Sequence, residues 1–344
     1  MSPNTSTVHQ PLVSIVTPVY NGREFLRQCL DSVCAQSYSN WNFTLVDNCS
    51  TDDTLELAQS YAAREPRMRL LRQTQFLPLI DNHNRAMRLI DPASVYCKPL
   101  MADDWLYPHC LERLVEAALA HPSAGLICSS ARTGDHVLFD ELPFAPAVTG
   151  GTSFLPGRDA ARLGLLQDRY FLGSPTTQLL RTDLIRKRDP FYNPENPQAD
   201  EETCYALLCV ADFAFVHQPL VYVRMHAESH TASMFHLFSL ESCRVYALAR
   251  YGNEFLSAQE FRARMALHLR QYYARLALGA FEGRGADFWV FHRRLLDMIG
   301  APFSRVRLAG AMVIHVLRKL RAPGELLRAL GQRLRAASRR LAGG

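Results

Sequence analysis

The nine cysteines are odd in number and scattered, with no C-x-x-C pair among them. That excludes a disulfide frame or a zinc ribbon as the organising device and reads as reduced thiols. Lysine is nearly missing. Lys98, Lys187 and Lys319 are the only three, so the positive charge is almost all arginine. No run reaches the roughly 18 apolar residues of a membrane span; Leu308–Leu317 comes nearest and contains His315. Met1–Gln10 is polar and lacks the apolar core of a secretory leader, so the expected location is cytoplasmic. No G-x-G-x-x-G and no P-loop follows any predicted strand, which excludes those two phosphate cradles.

What is present is ordinary in amount and uneven in distribution. The 344 residues are 48% hydrophobic and 21% charged, enough for a full core and, by length, for two domains. Residues 1–239 hold 19 Lys and Arg against 26 Asp and Glu, whereas residues 240–344 hold 19 against 7. An acidic first part is joined to a basic last part, and the expected boundary lies at 235/236.

Periodicity gives the first part its architecture. Leu12–Thr17 is a β-branched run closed by Pro18 and the turn Asn21-Gly22, and Phe25, Leu26, Cys29, Leu30 and Val33 then follow at helical spacing. Strands are predicted at 42–46, 68–71, 95–100 and 124–129, with helices after Thr51, over 80–90 and over 111–120. Strands alternating with helices of about ten residues mean βαβ units and a mainly parallel α/β sheet. Residues 130–175 read as an irregular, Gly- and Pro-rich excursion, followed by strands at 178–180, 213–216 and 219–223.

The run Val95–Met101 stops at two adjacent carboxylates, Asp103 and Asp104. Two such charges cannot be buried unpaired, since each costs several kcal/mol. At the carboxyl edge of an open α/β sheet they would lie where ligands bind, and hard oxygen donors suit Mg²⁺ or Mn²⁺. The plainer reading is that they cap a helix starting near Tyr107. Thr17-Pro18-Val19-Tyr20-Asn21 and Asp47 follow the first two strands and should meet the pair at the same edge.

Thr17-Pro18-Val19-Tyr20-Asn21, then Val46-Asp47-Asn48-Cys49-Ser50-Thr51-Asp52-Asp53-Thr54, then Ala102-Asp103-Asp104 resembles family 2 of the inverting glycosyltransferases over about residues 11–235. The resemblance implies a GT-A fold, a Rossmann-like sheet flanked by helices, with a donor half at about 11–129 and an acceptor half at about 130–235. It implies a nucleotide-sugar donor, UDP- or dTDP-linked, with Mn²⁺ or Mg²⁺ on its diphosphate, and a glycan or lipid-linked acceptor, as in polysaccharide biosynthesis. Donor contacts then fall on Thr17, Pro18, Tyr20, Asn21, Asp47, Asn84, Asp103 and Arg224. Asp104 and His226 would hold the metal. Asp200, at the start of a helix, would be the general base, with Glu201 as its rival. The chain departs from the family pattern at Asn48, Cys49 and Met101, and the segment 76–84 lacks the usual glycine.

The last part is helical in pattern and rich in arginine. Ala309, Met312, Val313, Val316 and Leu320 form an apolar stripe beside Arg305, Arg307, Arg318 and Lys319, continued by Leu327, Leu330 and Leu334. Such a helix can rest on an anionic membrane or pack on the catalytic domain. Nucleic acid is not expected as a partner, because no aromatic platform is interleaved with the arginines. Two rival functions are a nucleotidyltransferase, which should carry a basic glycine-rich phosphate loop, and a degenerate binding module without turnover.

Overall fold

The computed structural model describes residues 10–139, 151–167, 170–196, 199–226 and 239–321. Strand β1 (Val13–Val19) is buried at every position, as expected of a strand covered on both faces. It pairs in parallel with β2 (Trp41–Asp47) and β4 (Tyr96–Pro99), and β2 pairs in parallel with β3 (Met68–Arg72). The crossovers are α1 (Leu26–Cys34), α2 (Thr54–Ala62) and α3 (Leu79–Met87). In α1, Leu26, Cys29, Leu30 and Val33 recur at i, i+3, i+4 and i+7, and all four are buried. Each leucine or valine so covered contributes on the order of 1.5–3 kcal/mol.

Beyond β4 the sheet becomes mixed. Strand β9 (Gln178–Arg181) inserts antiparallel between β4 and β6 (Ala124–Thr133). Strand β10 (Asp212–Tyr222) runs parallel to β6 and antiparallel to β5 (Trp105–Leu106) and β8 (Thr152–Leu155), while β7 (His136–Leu138) pairs with β6. Among the described residues the order along the sheet is β3-β2-β1-β4-β9-β6-β10-β5, with β7 and β8 off that path. Helices α4 (Cys110–Ala120), α5 (Gly157–Leu166), α6 (Thr182–Arg186) and α7 (Ala199–Leu208) also belong to this part.

Three expectations are corrected. The two strands predicted at 213–216 and 219–223 are one strand, β10, with register shifts around Pro219, whose missing N–H interrupts the ladder. The stretch 130–175 is not wholly irregular, since β7, β8 and α5 fall within it. Asp103 and Asp104 do not cap a helix: β5 follows them, and α4 begins at Cys110 with His109 in the cap position.

The chain divides into two compact units between Ser233 and Met234, with Glu254–Leu256 joining the first. Toward the carboxyl end lie α8 (Ser239–Phe255), α9 (Ala258–Phe281), α10 (Ala286–Met298) and α11 (Arg305–Arg321). Helix α9 opens with a reciprocal cap. The Ser257 hydroxyl accepts from Glu260 N–H, and the Glu260 carboxylate accepts from Ser257 N–H at 2.9 Å. Val245, Tyr272, Leu276, Phe288, Leu295 and Leu296 form the core of the second unit. No described helix is long and apolar enough to cross a membrane.

Candidate active site

Because β1, β2 and β4 run in parallel, the segments that follow them leave the sheet at one edge. The turn after β1 is held by the segment after β2. Asn21, in the left-handed region at φ 49°, accepts the Thr51 N–H on its side-chain oxygen at 2.8 Å. Asn21 N–H donates to the Ser50 hydroxyl and Gly22 N–H to the Thr54 hydroxyl. Asn21 therefore fixes the turn that carries Tyr20. Thr17 is fully buried within β1 and its hydroxyl has no hydrogen-bond partner among the described residues; Pro18 lies opposite Val46 in the ladder.

Tyr20 is 48% exposed and meets Phe76, 59% exposed, edge to face with ring centroids 5.0 Å apart. Sequence reasoning passed over Phe76 because it sits in a segment without periodicity. Asp47 ends β2 fully buried, with both carboxylate oxygens 3.3 Å from Ser50 N–H and Arg72 Nε 3.9 Å away. The next two residues explain departures from the family pattern. The Asn48 amide donates to Leu77 C=O and accepts from Leu77 N–H, both at 2.9 Å, which pins the segment bearing Phe76. Cys49 stands at φ 63°, a conformation that glycine adopts without strain.

Asp103, Asp104, Arg224 and His226 form the second group. Asp104 is buried; its carboxylate accepts from the Thr176 hydroxyl at 2.5 Å and from Arg224 N–H at 2.9 Å. Burial first, then the neighbouring Asp103 charge, pushes its carboxyl up to about 7. His226 Nε2 lies 2.9 Å from Asp103 Oδ2, so the histidine pairs with Asp103, whereas the resemblance had put it beside Asp104. The Arg224 guanidinium, expected at a diphosphate, has partners within the protein. It donates to Asp103 C=O at 3.0 Å and to the Gln28 side chain at 2.7 Å, and it lies over the rings of Phe25 and Trp105. Trp105 in turn stacks on Tyr222, 3.7 Å between centroids. Arg224 thus braces the turn that carries the two aspartates.

Beneath them lies Lys98, fully buried in β4, its ammonium donating to the carbonyls of Pro99 and Thr176. Burial pushes this amine below its ordinary range. Thr176 is presented by a turn that needs glycine: Gly173 has φ 79°, and a Cβ there would stand 2.1 Å from Thr177 Oγ1. A lysine inside an apolar run just before paired aspartates was the available signal for this residue.

Asn84, expected among the donor contacts, ties two segments together. It is buried, and its amide donates to Tyr192 C=O at 2.8 Å and accepts from Tyr192 N–H at 2.7 Å, tying α3 to the segment before α7. His83, next to it, faces the Met101 sulfur at 3.3 Å and the Tyr192 ring. Asp200 and Glu201 are half-buried in the first turn of α7, while Glu202 is buried and paired with Arg188 at 3.1 Å. The Tyr192 phenol is pushed well above its ordinary range, by burial first and then by the Asp200 charge.

The donor set at Asp103, Asp104 and His226 is of the kind a hard divalent cation takes, and such a charge would offset the burial and the Asp103 repulsion that raise Asp104. Among the described residues no three His, Cys, Asp or Glu side chains converge closely enough to hold an ion unaided.

A Rossmann-like sheet with paired aspartates at its carboxyl edge defines the class, and the chain belongs to Glycosyl transferase family 2, whose family model matches residues 14–188. Among its relatives, the O-antigen biosynthesis protein RfbC of Myxococcus xanthus is 35% identical over 125 residues, 34% of this chain and 9% of that one. The chondroitin synthase of Escherichia coli is 34% identical over 102 residues, 30% of this chain and 14% of that one. The chain spans only these small shares of their length. Staphylococcus aureus TarS 1–349 in complex with UDP-GlcNAc superposes with TM-score 0.61 at 15% identity, covering 88% of this chain and 87% of that one. The mannosyltransferase PcManGT of Pyrobaculum calidifontis, in complex with GDP-Man and Mn²⁺, gives 0.51 at 15% identity, covering 91% and 89%. At such identities the likeness is one of fold.

Proposed function

We propose that the protein transfers a glycosyl group from a nucleotide-diphosphate sugar to a hydroxyl of a glycan or lipid-linked acceptor, with inversion at the anomeric carbon. One observation carries the reading: Asp47, the Tyr20–Phe76 pair and the Asp103–Asp104–His226 group follow parallel strands to one sheet edge or pack against residues that do. TarS and PcManGT, with nucleotide sugars bound, support the same donor class.

In this reading Tyr20 and Phe76 flank the base, Asp47 accepts from a base N–H, and Asp103 meets the ribose or sugar. Charge-assisted bonds of this kind are the stronger ones and fix the donor's orientation. Asp104, Asp103 and His226 would hold Mn²⁺ or Mg²⁺, which when bound offsets the charge of the departing diphosphate. Asp200 takes the proton of the acceptor hydroxyl as its oxygen attacks the anomeric carbon from the face opposite the leaving group. Glu201 is the alternative base. Lys98, Thr176 and Arg224 keep the aspartate turn in place. The enzyme would work in the cytoplasm beside a membrane, with its basic carboxyl-terminal helices at the lipid surface.

The test is a thermal-shift screen of the full chain against UDP-, dTDP- and GDP-sugars with Mn²⁺, because a ligand that binds only the folded state raises apparent stability. A shift that depends on both the sugar nucleotide and the metal supports the reading. No shift with any donor, or an equal shift with a plain nucleoside triphosphate and release of pyrophosphate, favours a nucleotidyltransferase or a binding module.

A further inference from the structure

Helix α11 has two apolar faces, and the core of its unit accounts for one. Leu308, Ala311, Met312 and His315, at i, i+3, i+4 and i+7, are half-buried. Of these, Leu308 and Ala311 pack on the cluster built from Tyr272, Tyr273, Leu276 and Phe288. On the other side Val306, Val313, Val316, Leu317 and Leu320 are 83, 58, 42, 49 and 62% exposed. At 3.6 residues per turn these five fall within an arc of about 100°. Single exposed apolar residues are normal; a strip of five along one helix is the mark of an interaction surface.

The charges beside the strip say what covers it. With Ile314, 50% exposed, the apolar arc widens to about 160°, bordered by Arg305 on one side and by Arg307 and Arg318 on the other, by the same helical spacing. No acidic residue occurs between Asp297 and Glu325. The chain's own tail is a poor cover. Residues 322–344 carry Arg328, Arg333, Arg335, Arg339 and Arg340 against the single acid Glu325, so like charge would meet like. A second copy would set the same basic borders against each other. A polyanion without apolar surface would leave the central strip wet. An anionic bilayer satisfies both parts, since headgroups meet the basic borders while acyl chains take the apolar centre.

We propose that the outer face of α11 lies flat on an anionic lipid surface, with Val306, Val313, Val316, Leu317 and Leu320 at the acyl boundary. This deepens the membrane contact of the proposed function by assigning it to one helix face, and it uses no residue of the sheet-edge site. Each basic residue close to an anionic surface raises partitioning about fivefold, so salt should weaken binding steeply.

The experiment is co-sedimentation of the full chain with vesicles of phosphatidylcholine, with and without phosphatidylglycerol, at low and high salt. Wild type should bind the anionic vesicles and lose them at high salt. The double variant V313E/L317E should bind about tenfold more weakly or worse. Both sites are exposed, so its melting temperature and its donor-induced thermal shift should stay those of wild type. A second variant, R307E/R318E, should lose the preference for phosphatidylglycerol. The proposal is overturned if wild type ignores anionic vesicles, or if V313E/L317E binds them as well as wild type while R335E/R339E does not, which would assign the contact to the tail. It is also overturned if light scattering shows a dimer that V313E/L317E dissociates and vesicles leave intact. Because donor binding is read separately, failure here and failure of the transferase reading are distinguishable.

Discussion

Replacing Asp104 by asparagine removes one buried charge and keeps the side chain's shape. The amide oxygen can still accept from Arg224 N–H, and the amide nitrogen can donate to the Thr176 hydroxyl, which becomes the acceptor. The gap between an ordinary aspartate near 3.8 and the folded value of about 7 corresponds to about 4 kcal/mol. Throughout that interval the folded protein keeps a proton that the unfolded chain has lost. Stability therefore falls as pH rises from about 4 to about 7 and then levels off. The variant lacks this slope. In metal-free buffer its stability advantage over wild type should widen by about 2–3 kcal/mol between pH 5 and pH 8. That is roughly 5–10 °C in melting temperature for a domain of this size. Differential scanning fluorimetry with EDTA across that range reads it directly. Added Mn²⁺ and UDP should lift the wild-type curve at pH 8 and leave D104N unmoved, because only the ionised carboxylate competes for the ion. Parallel pH curves for the two proteins would refute the argument, since they would mean that Asp104 is ionised in the metal-free fold at no cost.

Three further outcomes follow from the site. D200N should keep donor affinity in calorimetry and lose about 10²–10⁴-fold in transfer rate; if E201Q does so instead, Glu201 is the base. Y20A and F76A should each weaken donor binding by about 1–3 kcal/mol, with the metal requirement unchanged; equal affinity in both variants would remove the aromatic pair from the base site. N48D restores an aspartate common in the family, yet it should destabilise the fold by about 1–3 kcal/mol, because a carboxylate cannot donate to Leu77 C=O. A neutral result in urea titration would show that the segment bearing Phe76 is held by other contacts.

The elements legible in the sequence are those whose cause is local. The helical spacing of Leu26, Cys29, Leu30 and Val33, the β-branched run in β1, and Asp103-Asp104 at the end of an apolar stretch all state their role within a few residues. What stayed hidden depends on partners far along the chain. That Asn84 ties α3 to the segment before α7 depends on Tyr192, 108 positions away, presenting its backbone to it. The bracing role of Arg224 depends on Phe25, Gln28 and Trp105, which meet its guanidinium from far along the chain. His226 found Asp103 across 123 positions, a choice between adjacent carboxylates that no motif decides. The two-residue strand β5 was invisible for a related reason, since it exists only through pairing with Val221 and Tyr222.

Helix α11 shows the limit from the other direction. Periodicity correctly gathers Ala309, Val313, Val316 and Leu320 on one stripe, but period alone cannot say whether a stripe is covered. The structure separates Met312, on the half-buried face, from Val313 and Val316, on the open one; Leu327, Leu330 and Leu334 lie outside the described residues. The distinction rests on which residues the core of α9 and α10 reaches, and Leu308 and Ala311 already satisfy that core. Among the described residues the second apolar face packs on no core cluster. With arginine on both of its borders, it matches the lipid surface proposed for it, apolar within and negative at the rim.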